Sequence, residues 1–357
     1  MKRVNLFLGG VINISNAQNN NCKSLIRYLD HKKFNFYTLQ SSRAPIIDAP
    51  GVRFMVIKKP VFFWKYIAFA WGLWKCDIAY LPKTECMFWT HLLSIIFRKK
   101  YFRTVESIIQ IPQSANILLK PNRTLLGYRM TRNLYSITEF MIKYNFSVHG
   151  LVTSNKVLYL GVDKADKSNL TSIIPKPVTN VVLIGHDLVR KGVFDYLELS
   201  SKYKDICFHL IGSGNGKIDL RKIIDDGKDI YQNVIYHGPL GHIELQKFLE
   251  SQDIDLLILP SKSEGFPKVI LECASYGIPS MVFNDYGASE WLTNYKDGFI
   301  CNDLDEMAFV LNRITKNIDL LLNIKLNAFE LYKHFTWEER INVWEDEILS
   351  LSIDEKS

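Results

Sequence analysis

Apolar residues in this chain fall into two alternating patterns, short unbroken runs and longer stretches with helical punctuation. A run of about four to eight apolar residues between polar or turn residues marks a strand buried on both faces of a parallel sheet. Val4–Leu8, Phe34–Leu39, Phe54–Ile57, Asn180–Gly185 and Asp255–Leu259 fit this description, Val234–Leu240 is a strand with the turn that follows it, and Pro279 opens another such run. Helices are predicted between them, one from near Asn21 to Leu29 and one from about Pro267 to Tyr276. In the second, Pro267 suits a first helical position, while Gly277 and Pro279 stop the helix. An amphipathic helix over Trp337–Leu351 ends the pattern. Strands alternating with helices predict an α/β fold built on parallel sheets.

Length divides the pattern in two. A chain of 357 residues exceeds what one core usually supports. Pro175-Lys176-Pro177 is the stiffest connection in the middle of the chain. The expected domains are therefore residues 1–177 and 178–335, with a final helical segment over 336–357.

Hydrophobic content of 47% and charged content of 23% are ordinary for a globular protein. No repeat, low-complexity tract or secretion signal is read at the start, where Met1-Lys2-Arg3 leads straight into a strand. Six scattered cysteines without a Cys-x-x-Cys pair suit free thiols in a reducing cytoplasm. The charge is unevenly spread. Through residue 177 there are 26 Lys and Arg against 8 Asp and Glu, a balance of +18, and beyond it 18 against 29, a balance of −11. The first half is thus expected to face something anionic. Nucleic acid is set aside because no binding motif accompanies the charge. A membrane surface or a lipid-diphosphate fits better, against the alternative of an unspecialised solvated surface.

Residues 61–74, VFFWKYIAFAWGLW, form the most apolar stretch, too short and too interrupted by Lys65 to span a bilayer. Two readings stand: a helix packed on the sheet, or an aromatic helix dipping into a membrane interface beside basic neighbours. A second apolar run, Met87–Phe97, ends in Arg98-Lys99-Lys100 and then Arg103, a cluster suited to lipid headgroups.

The stretch with most chemistry is 260–280, PSKSEGFPKVILECASYGIPS, a strand-to-helix loop and the helix that follows. A helix start offers unpaired backbone N–H groups and a positive dipole end, which suit phosphate. Glu264 before the helix and Glu272 within it stand where carboxylates can accept hydrogen bonds from hydroxyls on either side of that phosphate. A nucleotide sugar has this layout. Taken singly, each glutamate has a plainer reading, Glu264 as a dipole partner and Glu272 as a solvated helix residue.

The run Glu264-Gly265-Phe266-Pro267-Lys268-Val269-Ile270-Leu271-Glu272, continuing through Ala274, Gly277, Ile278 and Pro279, resembles the Glu-x7-Glu signature of the retaining, family-4-like (group 1) glycosyltransferases. The resemblance implies a GT-B fold: two Rossmann-like domains, an inter-domain cleft, and a C-terminal helix crossing back to the first domain. It assigns Glu264 to the donor sugar and Glu272 to the ribose hydroxyls. It implies backbone donors at Lys268 and Val269 for the diphosphate, since Pro267 has no N–H, with Gly265 and Phe266 alongside. It also matches Gly185-His186-Asp187-Leu188-Val189-Arg190-Lys191-Gly192 to a Gly-Arg…Lys-Gly element. Lys191 keeps its cation; His186 replaces the usual Arg, and Arg190 is expected to supply the missing charge. Gly212, in a Gly-x-Gly loop that reaches Asn215, and Leu240 after its strand are expected to border the nucleotide, and Asp285-Tyr286-Gly287 resembles the family's tail pattern.

In the first half the likeness is mostly topological. Gly9-Gly10 ends the first strand in the place of a glycine loop facing the diphosphate, and Gly10 is carried over as a donor contact. The Asn-rich segment from Asn13 through Ser15 to Asn21 reads either as amides for hydroxyls, with Asn13 the candidate, or as a flexible connection. Asp77–Leu81 and Tyr101–Val105 resemble the family's fourth and fifth strands. The fifth often ends in a histidine contacting the donor sugar; Glu106 stands here instead, open to acceptor binding, a base role or structure.

The expected function is transfer of a sugar from a nucleotide diphosphate donor, UDP ahead of GDP, to a glycan or lipid-linked acceptor in bacterial envelope polysaccharide synthesis. No metal or other cofactor is expected, Asp253-Ile254-Asp255 being read as a strand lead-in. The expected location is the cytoplasm, at the inner face of the membrane. The alternatives are a nucleotide-sugar epimerase or hydrolase of the same fold, and a non-catalytic nucleotide-sugar-binding protein.

Overall fold

The computed structural model describes residues 2–14, 16–109, 122–164, 176–214, 216, 218–284 and 286–353. Ser15, Pro175, Asn215 and Asp285, named above, lie outside the described residues. The chain forms two compact units, residues 1–161 with 337–357, and residues 162–336. They part between Gly161 and Val162, earlier than the proline-bounded connection at 175–177.

The first unit carries β1 (Val4–Val11), α1 (Ala17–Tyr28), β2 (Phe34–Ser41), β3 (Val52–Ile57), α2 (Val61–Lys75), β4 (Ile78–Tyr80), α3 (Met87–Ile96), β5 (Lys100–Val105), α4 (Arg123–Arg129), β6 (Asn133–Ser136) and α5 (Glu139–His149). Its six strands are all parallel, in the order β3-β2-β1-β4-β5-β6. Leu6, Phe7 and Leu8 are fully buried at the centre of this sheet, as a strand covered on both faces requires.

Helix α1 begins at Ala17, within the asparagine run rather than after it. The side chain of Asn16 caps the helix by accepting from Asn19 N. Asn19 and Asn21 point inward and are almost wholly buried. Asn19 accepts from Val11 N at 3.0 Å and donates to Ile14 O at 2.8 Å. A run that reads as a loop by composition becomes a helix start because its amides find buried partners.

The second unit carries β7 (Asn180–Asp187), α6 (Val193–Lys202), β8 (Cys207–Ser213), α7 (Leu220–Asp226), β9 (Val234–Gly238), α8 (His242–Ser251), β10 (Leu256–Leu259), α9 (Lys268–Ala274), β11 (Ser280–Phe283), β12 (Gly298–Cys301), α10 (Leu304–Lys316) and α11 (Ile318–Lys333). Its strands run in the order β12-β11-β10-β7-β8-β9, all parallel. In each unit the first strand lies beside the fourth and the order reverses between them, the doubly wound arrangement of a dinucleotide-binding sheet.

Asp255, fully buried at the foot of β10, accepts from Lys325 at 2.8 Å, Thr179 N at 2.8 Å and Asn180 N at 3.1 Å. Burial alone would raise its pKa, but the Lys325 cation and these hydrogen bonds outweigh burial and hold the carboxyl below its usual value. This carboxylate ties α11 and the start of β7 to the central strand.

The last helix, α12 (Trp337–Ile353), belongs to the first unit. Trp344 is fully buried and donates to Tyr159 O at 2.8 Å, and Trp337 stacks on Tyr28. Glu345 pairs with Lys33, and Glu347 with Lys156 at 2.5 Å. The chain therefore returns to its starting unit.

Candidate functional site

In a doubly wound sheet the ligand crevice lies beyond the carboxyl ends of the strands where the order reverses. In the second unit that point is the β7–β10 pair, so the loops 188–192 and 260–267 flank it. These loops carry the cations and the first glutamate picked out by sequence, and the fold brings them together. Lys191 Nζ lies 2.7 Å from Glu264 Oε1, and Arg190 donates to the same oxygen at 3.0 Å. Arg190 also donates to Ser263 O at 2.6 Å, and the Ser261 hydroxyl donates to Glu264 Oε1 at 3.1 Å.

The two loops approach so closely that side chains are excluded where they meet. Gly192 has φ +84°, and a Cβ there would sit 2.1 Å from Pro260 O. Lys191 folds back across Gly185, where a Cβ would meet its Cγ at 2.7 Å. Glycine at these two positions lets the cation sit under the 260–267 loop.

Lys191 and Glu264 are each only 7% exposed. Burial lowers the Lys191 pKa, and Glu264 is the chief influence opposing that shift. Arg190, on the rim, has a side chain 39% exposed. Glu272 lies one helix further on, and Lys191 is within electrostatic reach of it as well. Desolvation raises the Glu272 carboxyl pKa, against the pull of Lys268, His242 and Lys191. Glu272 is half-buried in the wall of a pocket whose other sides include Asp163, His242, Leu245, Gln246 and Tyr276. Ser261, His242 and Asp163 carried no functional expectation. The fold puts Ser261 beside Glu264, and His242, at the start of α8, and Asp163 beside Glu272.

Helix α9 differs from expectation in a way that matters electrostatically. Pro267 is its N-cap, not its first helical residue, and α9 has seven residues. Ile270 N bonds to Pro267 O at 3.0 Å, which closes the first turn of the helix on the proline. Two turns make a weak macrodipole, so anion binding here falls chiefly to Lys191 and Arg190.

Other expected contacts sit in structural settings. The Phe266 ring packs in a cluster with Trp291 and Phe335, at 5.7 and 6.1 Å, and is buried. Gly265 is buried within the same loop. Gly212, with φ +140°, would carry a Cβ 1.7 Å from Gly185 O, so strand approach demands glycine there. Leu240 follows β9, the edge strand, and is half-buried.

In the first unit, Asn13 turns its amide toward residues 41–45. It donates to Ser41 O at 2.7 Å and Pro45 O at 3.1 Å, and accepts from Ser41 N at 2.7 Å. Gly10 lies under α1, where a Cβ would meet Cys22 Sγ at 2.7 Å. Glu106, just after β5, accepts from Asn21 at 2.9 Å, Tyr80 at 2.7 Å and Thr104 at 3.0 Å. That network fixes the carboxylate at the carboxyl end of the sheet. Among the described residues, no three His, Cys, Asp or Glu side chains converge as metal ligands.

Residues 172–330 match the model of the family "Glycosyl transferases group 1". A UDP-Gal:alpha-D-GlcNAc-diphosphoundecaprenol alpha-1,3-galactosyltransferase of Escherichia coli is 30% identical over 131 residues, 36% of this chain and 32% of that protein. The chain spans less than half the length of the first curated relatives it matches. Among solved structures, a glycosyltransferase from Rickettsia africae superposes with a TM-score of 0.74 at 14% identity, over 99% of this chain and 100% of that one. The Anabaena protein HepE, solved with UDP and glucose, does so with a TM-score of 0.73 at 13% identity, over 99% and 100%. Two parallel six-stranded sheets with flanking helices are the GT-B fold of these neighbours, and the likeness to the glycosyl transferases group 1 model runs over residues 172–330.

Proposed function

We propose that the protein is a retaining glycosyltransferase that takes a sugar from a nucleotide diphosphate donor, UDP ahead of GDP, to a lipid-linked glycan. The observation that carries this reading is the Lys191–Arg190–Glu264 cluster at the strand-order reversal of a group 1 domain. The acceptor hydroxyl adds to the anomeric carbon, the bond from that carbon to the diphosphate oxygen breaks, and the hydroxyl proton leaves with the nucleoside diphosphate. Negative charge grows on the diphosphate as that bond opens. Lys191 and Arg190 stabilise it most in the transition state, the condition for catalysis rather than binding alone. Glu264 orients the donor sugar, and Glu272 accepts from the ribose hydroxyls. Charge compensation is assigned to these cations, without a metal.

UDP is favoured because both the E. coli relative and the HepE structure carry uridine nucleotides in their names. The lipid-linked acceptor is favoured by the diphosphoundecaprenol substrate named for that relative and by the basic first half of this chain. Envelope polysaccharide synthesis is the setting such an acceptor implies.

The test is turnover of a panel of UDP-sugars with undecaprenyl-diphosphate-linked sugars as acceptors, for the parent chain and for Lys191→Ala and Glu264→Ala. Transfer is expected with one pair, with each variant lowered about 10²–10³-fold. Near-full turnover by both variants would refute the site, and donor consumption without acceptor would refute transfer.

A further inference from the structure

Helix α3 buries Met87, Thr90, Leu93 and Ser94 and leaves most of its large apolar residues outside. Its buried residues include Thr90 and Ser94, whose hydroxyls donate back to Met87 O at 3.1 Å and His91 O at 2.6 Å. Phe88, Leu92, Ile95 and Ile96, at helical spacing on the opposite face, are 59%, 48%, 62% and 60% exposed. Sequence preference alone would put the large apolar groups inside and the hydroxyls out. Helix α2, apolar on every side, buries Ala68, Phe69, Gly72 and Leu73 against the sheet and leaves Phe62, Phe63 and Trp74 exposed at 74%, 59% and 58%.

The two helices form one surface. Trp89 of α3 donates to Tyr66 O of α2 at 3.0 Å, and Phe62, Tyr66 and Trp89 make a continuous aromatic row with ring centroids 5.1 and 6.0 Å apart. An outward patch of this kind marks a docking surface rather than scattered surface leucines.

Charge identifies the occupant. Residues 58–100 carry eight Lys and Arg against two acids, Asp77 and Glu85, while Arg103 is buried and bonded to Lys83 O and Thr90. Glu85 is paired with Lys65, and Asp77 accepts from Asn5 N at 2.8 Å. Lys58, Lys59, Lys75, Arg98, Lys99 and Lys100 lie at the ends of the two helices, around the apolar area rather than within it. A second copy of the chain docked here would bring like charges together. An anionic bilayer supplies the opposite charge, an apolar depth for Phe88 and Ile95, and an interface layer for Trp74 and Tyr66.

We propose that the α2–α3 face is a peripheral docking site for an anionic lipid bilayer, with the apolar stripes entering the acyl boundary and the flanking cations at the headgroups. This needs no assumption about the reaction, so it stands or falls separately from sugar transfer. The experiment is co-sedimentation of the full chain with phosphatidylcholine vesicles, with and without phosphatidylglycerol, across a salt series. Binding is expected to require phosphatidylglycerol, to weaken with salt, and to be lost in Phe88→Asp/Ile95→Asp. It should fall about fivefold for each of Arg98, Lys99 and Lys100 changed to Gln, the factor equivalent to about 1 kcal/mol per basic residue near an anionic surface. The Gln variants alter only residues outside the helical core, so they keep the test valid should the Asp variant misfold. No binding at low salt, binding indifferent to these changes, or a self-association removed by Phe88→Asp without vesicle binding would each overturn the proposal.

Discussion

Replacing Glu264 with Gln should separate donor affinity from turnover. Glu264 Oε1 collects Lys191 at 2.7 Å, Arg190 at 3.0 Å and the Ser261 hydroxyl at 3.1 Å. A diphosphate drawn to the two cations must approach a carboxylate already neutralising them. Gln keeps the size of the side chain and the oxygen acceptor and removes only the charge. Two like charges about 5–8 Å apart, at an effective dielectric constant of about 20, repel by about 2–3 kcal/mol, and solvent at the exposed Arg190 side reduces this to about 1–3 kcal/mol. UDP should therefore bind about ten- to a hundredfold more tightly to Glu264→Gln, while transfer falls about 10²–10³-fold because the sugar loses its orienting carboxylate. Isothermal titration with UDP measures the first quantity and turnover the second. The unliganded variant should also melt lower, since Lys191, already disfavoured by burial, loses the partner that chiefly opposes that effect. Unchanged or weaker UDP binding would refute the claim that Glu264 and the diphosphate compete for the same two cations.

Three further outcomes are expected. Lys325→Met strands Asp255, fully buried, with Lys176 at 3.0 Å as its remaining cation, and should cost about 3 kcal/mol in urea unfolding; a loss below about 1 kcal/mol contradicts this account. Gly192→Ala forces a Cβ to within 2.1 Å of Pro260 O at φ +84°, so turnover should fall at least about tenfold with a lower melting temperature, and parent-like kinetics would show that the 188–192 and 260–267 loops need not touch. Burial, with His237 3.0 Å away, holds the His209 pKa down to about 4. Because an unfolded histidine titrates near 6.5, the unfolded chain takes up the proton first as the pH falls. The stabilisation is complete above about pH 6.5 and is lost toward about pH 4, by at most about 1.4 kcal/mol per pH unit for that proton, and a His209→Gln variant should flatten the slope in that window.

Much of this protein follows from local sequence. Short apolar runs bounded by turn residues suit strands buried on both faces, while the longer runs at 61–74 and 87–97 become helices, and the alternation of the two points to parallel sheets. The 260–280 stretch and Lys191 are legible because a strand-to-helix loop presents its side chains whatever the remote surroundings. What the sequence could not supply is everything that depends on pairing at a distance. Arg190 and Glu264 are separated by 74 positions, and they meet only because β7 and β10 are neighbours at the order reversal. The same nonlocality turned Asn13 to residues 41–45, packed the Phe266 ring against Trp291 and Phe335, and tied Glu106 to Asn21 and Tyr80. It also decided which side of α3 faces out. Helical spacing places Thr90 and Ser94 opposite Phe88 and Ile95, but only packing on the sheet shows that the hydroxyl side is the buried one.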